Sequence, residues 1–113
     1  MAVTPYFQQT GMGADLHGAN DTKAARRAVN DAIQNNNMLF LRHVGIKNLD
    51  QLLVDVTIAS PHPEQIDTDA VATEFPVGTI TVSTQCGGML IDSDVSGDPV
   101  LIAVASVTVG IKE

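Results

Sequence analysis

The chain has 113 residues, 44% of them hydrophobic, and a mean hydropathy of +0.13, which together exclude intrinsic disorder and provide for one domain only. A formal net charge of −7 repels phosphate backbones and anionic lipids, so we expect neither nucleic acid nor a membrane as a partner. The single cysteine excludes an intrachain disulfide, and no signal peptide or membrane span is recognisable, which predicts a cytoplasmic protein.

The first predicted elements are a strand over residues 2–9 and a glycine-rich turn over residues 11–18. Tyr6 and Phe7 favour the strand, and Pro5 favours an edge position because its nitrogen cannot donate to a sheet ladder. The turn contains three glycines, a carboxylate and an imidazole. It lies at a strand-to-helix connection, where open α/β sheets place their ligands, so we expect a site here.

An amphipathic helix is predicted over residues 21–36, with Asn20, Asp21 or Thr22 as its cap. The apolar run that follows at residues 38–41 fits a buried connection, an edge strand or a subunit contact equally well. The apolar residues of the helix share one face, and they are Ala25, Ala28, Val29, Ala32 and Ile33.

Three further strands and one short helix are predicted in the rest of the chain. Residues 51–59 and 78–86 alternate between apolar and polar side chains, as half-buried strands do. Between them, Asp67 or Thr68 starts a short helix that must end near the next proline. Residues 99–109 are apolar at both parities, which predicts a central strand that is buried on both faces.

The element order is therefore β-α-β-α-β-β, which indicates an α+β domain with a mixed four-stranded sheet. Right-handed crossovers give the first three strands one direction and place both helices on one face, and the last strand returns antiparallel. The other face would be partly uncovered in a monomer, because it carries an apolar stretch of the last strand. We therefore expect a homo-oligomer.

Parallel strands end at the same edge of a sheet, and polar residues follow each of the first three predicted strands. Asp15 and His17 would lie on one side of an extended segment. His62 or Glu64, after the second strand, would complete a three-ligand site for zinc or a similar divalent cation. In the structural alternative, Asp15 caps the glycine turn and His17 donates to a backbone carbonyl.

Glycines at the same edge suggest an anion site. Gly11 and Gly13 begin like a dinucleotide fingerprint, but Gly18 follows Gly13 by five residues instead of three, which argues against a dinucleotide. A single carboxylate or phosphate group would still fit the backbone amides of these three glycines. Gly87 and Gly88, after the third strand, are further candidates for binding a ligand.

Cys86, which precedes these two glycines, has two interpretations. As a nucleophile it would use His17 or His62 as its base and the glycine amides as an oxyanion site. As a structural residue it would be a small buried hydrophobe, because it shares the parity of Ile80 and Val82. We expect the structural role.

Residues 11–18 match the pattern Gly-x-Gly-x-Asp-x-His-Gly, which resembles the signature of a small family of uncharacterised bacterial and plant proteins. The similarity extends to residues 23–29, 63–64, 87–88 and 107–110. That family has no assigned activity. The resemblance therefore implies that the acidic residue, the histidine and the glycines of the pattern are important, without naming a reaction.

The element order also resembles the trimeric chorismate mutase of the bacillus type, in which the last strand is central and the sites lie between subunits. This resemblance implies a trimer or a multiple of one. It does not imply the activity, because the sequence lacks a matching cluster of arginines. Residues 13–17 are similar, too, to the metal-binding start of the methylerythritol cyclodiphosphate synthases, but the likeness covers only these few residues.

Two hypotheses of function follow. In the first, the protein is a homo-oligomeric enzyme or binding protein for a small polar metabolite. His17 would be its general acid/base or a metal ligand, and Asp15 would orient His17 or bind the metal, as in an acid/base or metal-assisted hydrolase or lyase. In the second, the protein is a structural or regulatory oligomer, and the glycine-rich turn is only a tight connection.

Overall fold

The computed structural model describes residues 3–16, 18–34, 52–75, 78–92 and 99–112. His17 and the apolar run at residues 38–41 lie outside these residues. Within the described part, no helix is both long and apolar enough to cross a membrane. In chain order the elements are β1 (Val3–Asp15), α1 (Asp21–Gln34), β2 (Leu52–Ser60), a 3₁₀ turn (Pro63–Gln65), α2 (Thr68–Ala72), β3 (Thr79–Cys86), β4 (Met89–Ile91) and β5 (Val100–Lys112).

The described strands form one mixed sheet in the order β1-β5-β2-β3, and β4 pairs with the first residues of β5. Both β1 and β2 run antiparallel to β5, and β3 runs parallel to β2. The predicted strand directions and the central position of the last strand are therefore confirmed. The prediction of four strands is wrong, because residues 89–91, expected to be part of a connection, pair with residues 100–102.

Both helices cover the same face of the sheet, as predicted. Helix α1 begins after Asn20, whose side-chain oxygen accepts a hydrogen bond from the Lys23 amide at 3.0 Å. It packs across β1 and β5, while α2 packs against α1 and β3. The core between helices and sheet consists of Ala24, Ala25, Ala28, Val29, Ala32, Leu52, Val54, Val56, Ile58, Ile66, Val71, Leu101, Ala103, Ala105, Val107 and Val109.

The opposite side of the sheet, which we call the open face, has no helix on it in the described part of the chain. Val104 on β5 is 39% exposed there, so the prediction that the last strand is buried on both sides is wrong for the single chain. The other residues of the open face whose side chains are described are Gln8, Thr10, Met12, Ala14, Leu53, Asp55, Thr57, Ala59, Thr79, Thr81, Ser83, Gln85, Met89, Ile91, Val100, Ile102, Ser106 and Thr108.

The first strand is longer than the sequence predicts. It continues through residues 10–15, of which residues 11–15 were predicted to belong to the glycine-rich turn, and Gly11 lies opposite Ala105 and Gly13 opposite Ala103. Asp15 is its last residue. Since β1, β2 and β3 share one direction, they end together at what we call the carboxyl edge of the sheet.

Candidate functional site

Gly11 and Gly13 lie directly beneath helix α1, where no room is left for a side chain. A Cβ atom on either glycine would overlap backbone atoms of Ala28. The Met12 amide between them points away from β5 and donates to the Asp31 carboxylate at 3.0 Å. Because successive amides of a strand point in opposite directions, the amides of the two glycines point toward β5. The geometry thus assigns these glycines to close packing of helix on strand and gives no support to an anion site on their amides.

The turn after β1 is ordered by Asp15, which is 3% exposed. One of its carboxylate oxygens accepts the Asn20 amide at 2.8 Å, and the other lies 3.7 Å from the Arg27 guanidinium. Gly18 in this turn has a φ of 90°, a conformation that favours glycine. These contacts agree with the structural alternative for Asp15, that of a residue that caps the turn.

Asp21, the first residue of α1, connects the helix to the end of β2. Its side chain is 1% exposed, and its Oδ2 atom accepts two hydrogen bonds, from the Ser60 hydroxyl at 2.5 Å and from the His62 amide at 2.8 Å. The Nδ1 atom of His62 lies 3.0 Å from the second carboxylate oxygen, Oδ1. Ser60 itself is fully buried, so it serves as a donor to Asp21 and is not accessible from outside.

His62 is held in one orientation by this carboxylate. A carboxylate only accepts hydrogen bonds, so Nδ1 is the donor in this contact and Nε2 is the ring nitrogen that is left to take up or release a proton. The side chain is 37% exposed, so a small molecule can reach it. A buried carboxylate behind Nδ1 of a partly exposed ring allows an imidazole to accept and return a proton.

The described residues contain no group of three His, Cys, Asp or Glu side chains that would hold a metal ion. Of the three ligands predicted, Asp15 contacts Asn20 and Arg27, and His62 contacts Asp21. The third, His17, lies outside the described residues. The divalent metal site therefore stays a prediction.

Cys86 lies at the carboxyl edge, opposite Ser60 in the parallel pair of β2 and β3. It is exposed, so the expectation of a buried cysteine is wrong. The reason is that the helices cover β3 only partly, since Ile80 and Val82, on the helix side of the same strand, are themselves only partly buried.

Gly87 and Gly88 shape the tight connection from β3 to β4. The Gly87 amide donates to the Ser60 carbonyl at 3.1 Å. Gly88 has a φ of 68°, and the Ile102 carbonyl oxygen occupies the place of a Cβ atom. A Cβ atom on Gly87 would lie 2.7 Å from the Ala59 Cβ, so close packing disfavours a side chain at both glycines, whether or not a ligand also binds there.

Asp21 and Ser60 are the members of this group that the sequence alone does not identify. In the sequence, Asp21 is one of three possible helix caps, and Ser60 is the residue that follows a predicted strand. The available signal is topological, because a helix that follows the first strand begins at the edge where the second strand ends. A polar residue at that helix start therefore meets the residues that close the second strand.

Comparison with curated proteins gives no match. Among solved structures, the chain is similar to a protein from Nostoc punctiforme described as an FtsZ-like protein of unknown function. The sequence identity is 34%, the TM-score is 0.88, and the match covers 100% of this chain and 99% of that chain. The family model described as "Conserved hypothetical protein (Lin0512_fam)" matches residues 5–109. The chain therefore belongs to this family of conserved hypothetical proteins, as the sequence resemblance leads one to expect.

Proposed function

We propose that the protein is an acid/base enzyme acting on a small polar molecule, with His62 as the group that transfers the proton and Asp21 as the residue that positions it. The observation that carries the proposal is the buried Asp21 carboxylate, which lies 3.0 Å from Nδ1 of a ring that is 37% exposed. General acid/base catalysis by such a positioned side chain contributes about 10²-fold to 10⁴-fold in rate.

The proposal keeps the carboxyl edge that the sequence indicates but changes the residues that act there. The sequence favours His17 and Asp15. The Asp15 carboxylate, however, is engaged by the Asn20 amide and Arg27, whereas His62 combines a fixed orientation with access from outside. We therefore assign the proton-transfer role to the second pair.

The competing hypothesis is that Asp21 only ties α1 to β2. Two contacts are sufficient for such a tie, namely the hydrogen bonds from the Ser60 hydroxyl and the His62 amide. The imidazole adds a third contact while its ring stays partly in solvent, where burial contributes little to stability. A purely structural link between α1 and β2 would therefore not need the imidazole ring, which favours the enzyme hypothesis.

The subunit arrangement that we propose is that of the bacillus-type chorismate mutase, a homo-oligomer with three copies favoured. The central β5 and the two helices on one face support this arrangement. In it, a neighbouring copy would border the carboxyl edge. The reaction itself is not carried over from chorismate mutase, because the fold alone does not define it.

The test is a thermal-shift screen of small carboxylates, phosphates, sugars and amino acids, followed by NMR of any compound that binds. Binding raises Tm, and we expect at least one compound to raise it by several degrees. In D₂O, the bound compound should exchange a carbon-bound proton faster than it does in buffer, because Nε2 of His62 removes that proton.

The informative variant is His62→Asn, because the asparagine amide can still donate to Asp21 where Nδ1 did, but it has no atom in the place of Nε2. We expect the variant to remain folded and to lose the proton exchange. Glu64→Gln, an exposed position two residues away, is the matched control and should retain it. If no compound binds, or if exchange persists in His62→Asn, the enzyme hypothesis fails and the structural tie is favoured.

A further inference from the structure

We propose that the open face of the sheet is the surface through which this chain binds a second copy of itself. The inference rests on the homo-oligomer of the proposed function, but it does not depend on the acid/base role of His62. It names the surface by which two copies would meet.

The half of the open face nearest the carboxyl edge is apolar on β1, β5, β2 and β4. Met12 lies opposite Val104, Ala59 flanks Val104 on the other side, and Met89 lies opposite Ile102. Met12 is 61% exposed, Met89 55% and Val104 39%. Single exposed apolar side chains are ordinary, but a contiguous group that spans four strands marks an interaction surface.

The open face is nearly free of charge, although the chain carries a net charge of −7. Among the residues of this face whose side chains are described, only Asp55 is charged. Charged residues are depleted in the same way at the centres of protein interfaces. A neutral face also allows two copies that carry the same negative charge to approach each other.

The other half of the open face carries hydroxyl and amide side chains. Gln8 donates to the Ser106 hydroxyl at 2.9 Å, and the hydroxyls of Thr57 and Ser83 lie 3.4 Å apart. A hydroxyl both donates and accepts, so a surface of hydroxyls can satisfy a copy of itself, whereas a surface of carboxylates cannot. Most soluble oligomers are built from identical chains, and this chemistry favours a second copy over a partner of opposite charge.

The open face is also large enough for a specific contact. Four strands about 4.8 Å apart and about eight residues long cover on the order of 500 Å², and two such faces cover on the order of 1,000 Å². Biological interfaces begin at about 1,000 Å² of total buried surface. The corrugation of the side chains adds to this area, so the face reaches the size that a stable contact needs.

The test is the molar mass in solution, by light scattering after size exclusion, of the native chain and three lysine variants. Val104→Lys and Met12→Lys place a charge in the apolar half of the open face. Gln65→Lys places the same charge at an exposed position on the helix side of the molecule. We expect the native chain and Gln65→Lys to have a mass that is a multiple of 11.9 kDa, and both open-face variants to be monomers.

Circular dichroism melting shows whether each variant is folded. If Val104→Lys does not fold, Met12→Lys decides, because its side chain is mostly in solvent in the single chain and a lysine fits there. A monomeric native chain would overturn both the proposed oligomer and the inference. The remaining candidates to cover the open face would then be residues 38–41 and another protein. An oligomer that survives both open-face variants would overturn the inference alone, and the acid/base role of His62 is tested separately by proton exchange.

Discussion

Three donors from the end of β2 and the residues after it surround the Asp21 carboxylate, and one of them, the Ser60 hydroxyl, is fully buried. Asp21→Ala leaves the hydroxyl and the His62 amide without an acceptor, so we expect the free energy of unfolding to fall by about 3 kcal/mol. Ser60→Ala removes one donor and keeps the other two, so a loss of about 1 kcal/mol is expected. Urea unfolding measures both values.

Asp69→Ala is the control for these variants, since Asp69 is exposed on α2. Its effect should stay within about 0.5 kcal/mol, as for most surface positions. Equal losses in Asp21→Ala and Asp69→Ala would mean that the Asp21 contacts do not stabilise the fold.

The Cys86 thiol is the second feature that can be tested at the level of one residue. Because it is exposed at the end of β3, it should react with a disulfide reagent such as DTNB in the native protein, at a rate close to that in urea. The measurement is the absorbance of the released thiolate, with Cys86→Ser as the blank. A thiol that reacts only after unfolding would place Cys86 in the core.

At the scale of the elements, the contact between α1 and β1 depends on glycine. In Gly13→Ala, the new Cβ would overlap the backbone of α1, so the helix must move and we expect a loss of more than about 2 kcal/mol. In Gly18→Ala, the Cβ would meet only Asp15 Oδ2, at an ordinary contact distance of 4.0 Å, and the positive φ alone opposes it, so the loss should be about 1 kcal/mol. Thermal unfolding of the two variants ranks them.

Lys23→Ala serves as the control for these substitutions, because it changes an exposed residue of α1. We expect its effect to stay within about 0.5 kcal/mol. If Gly13→Ala were as stable as Lys23→Ala, close helix packing would not be the reason for glycine at position 13.

The elements that the sequence predicts well are those whose signal is local. Alternation identifies β2 and β3, and the doubly apolar pattern identifies β5 as central, because each depends only on neighbouring residues. The three residues of β4 are too few to show a period. Gly11 and Gly13 read locally as turn residues, but their role depends on a helix that packs on them from another layer.

The candidate site shows the same division. The carboxyl edge follows from the order of strands and helices, and His62 follows from its place after β2. The pairing of His62 with Asp21 does not, because it requires the relative position of a helix start and a strand end. The exposure of Cys86 depends on how far the helices extend over β3. The alternation of apolar and polar residues along β3 does not predict this extent.

At the scale of the whole molecule, the apolar part of the open face predicts that association contributes to stability. Tm should then rise with protein concentration, because assembly and folding are linked by mass action. For a domain of this size, about 1 kcal/mol corresponds to about 4 to 8 °C. Differential scanning calorimetry at low and high concentration measures the effect.

Met12→Lys should abolish this dependence on concentration, and Gln65→Lys should preserve it. A Tm that does not change with concentration in the native protein would show that the single chain is the folding unit.

The hydrogen bond from the Met12 amide to Asp31 makes the two edges of the sheet unequal. A free edge strand is a template on which another chain can add, and β1 resists this because Asp31 occupies one outward amide and Pro5 offers none. At the other edge, β3 pairs only with β2 among the described residues and contains neither proline nor charge. Under mildly denaturing conditions, we therefore expect fibrils, detected with thioflavin, to form by addition of strands to β3. In Asp31→Ala, strands should also add to β1.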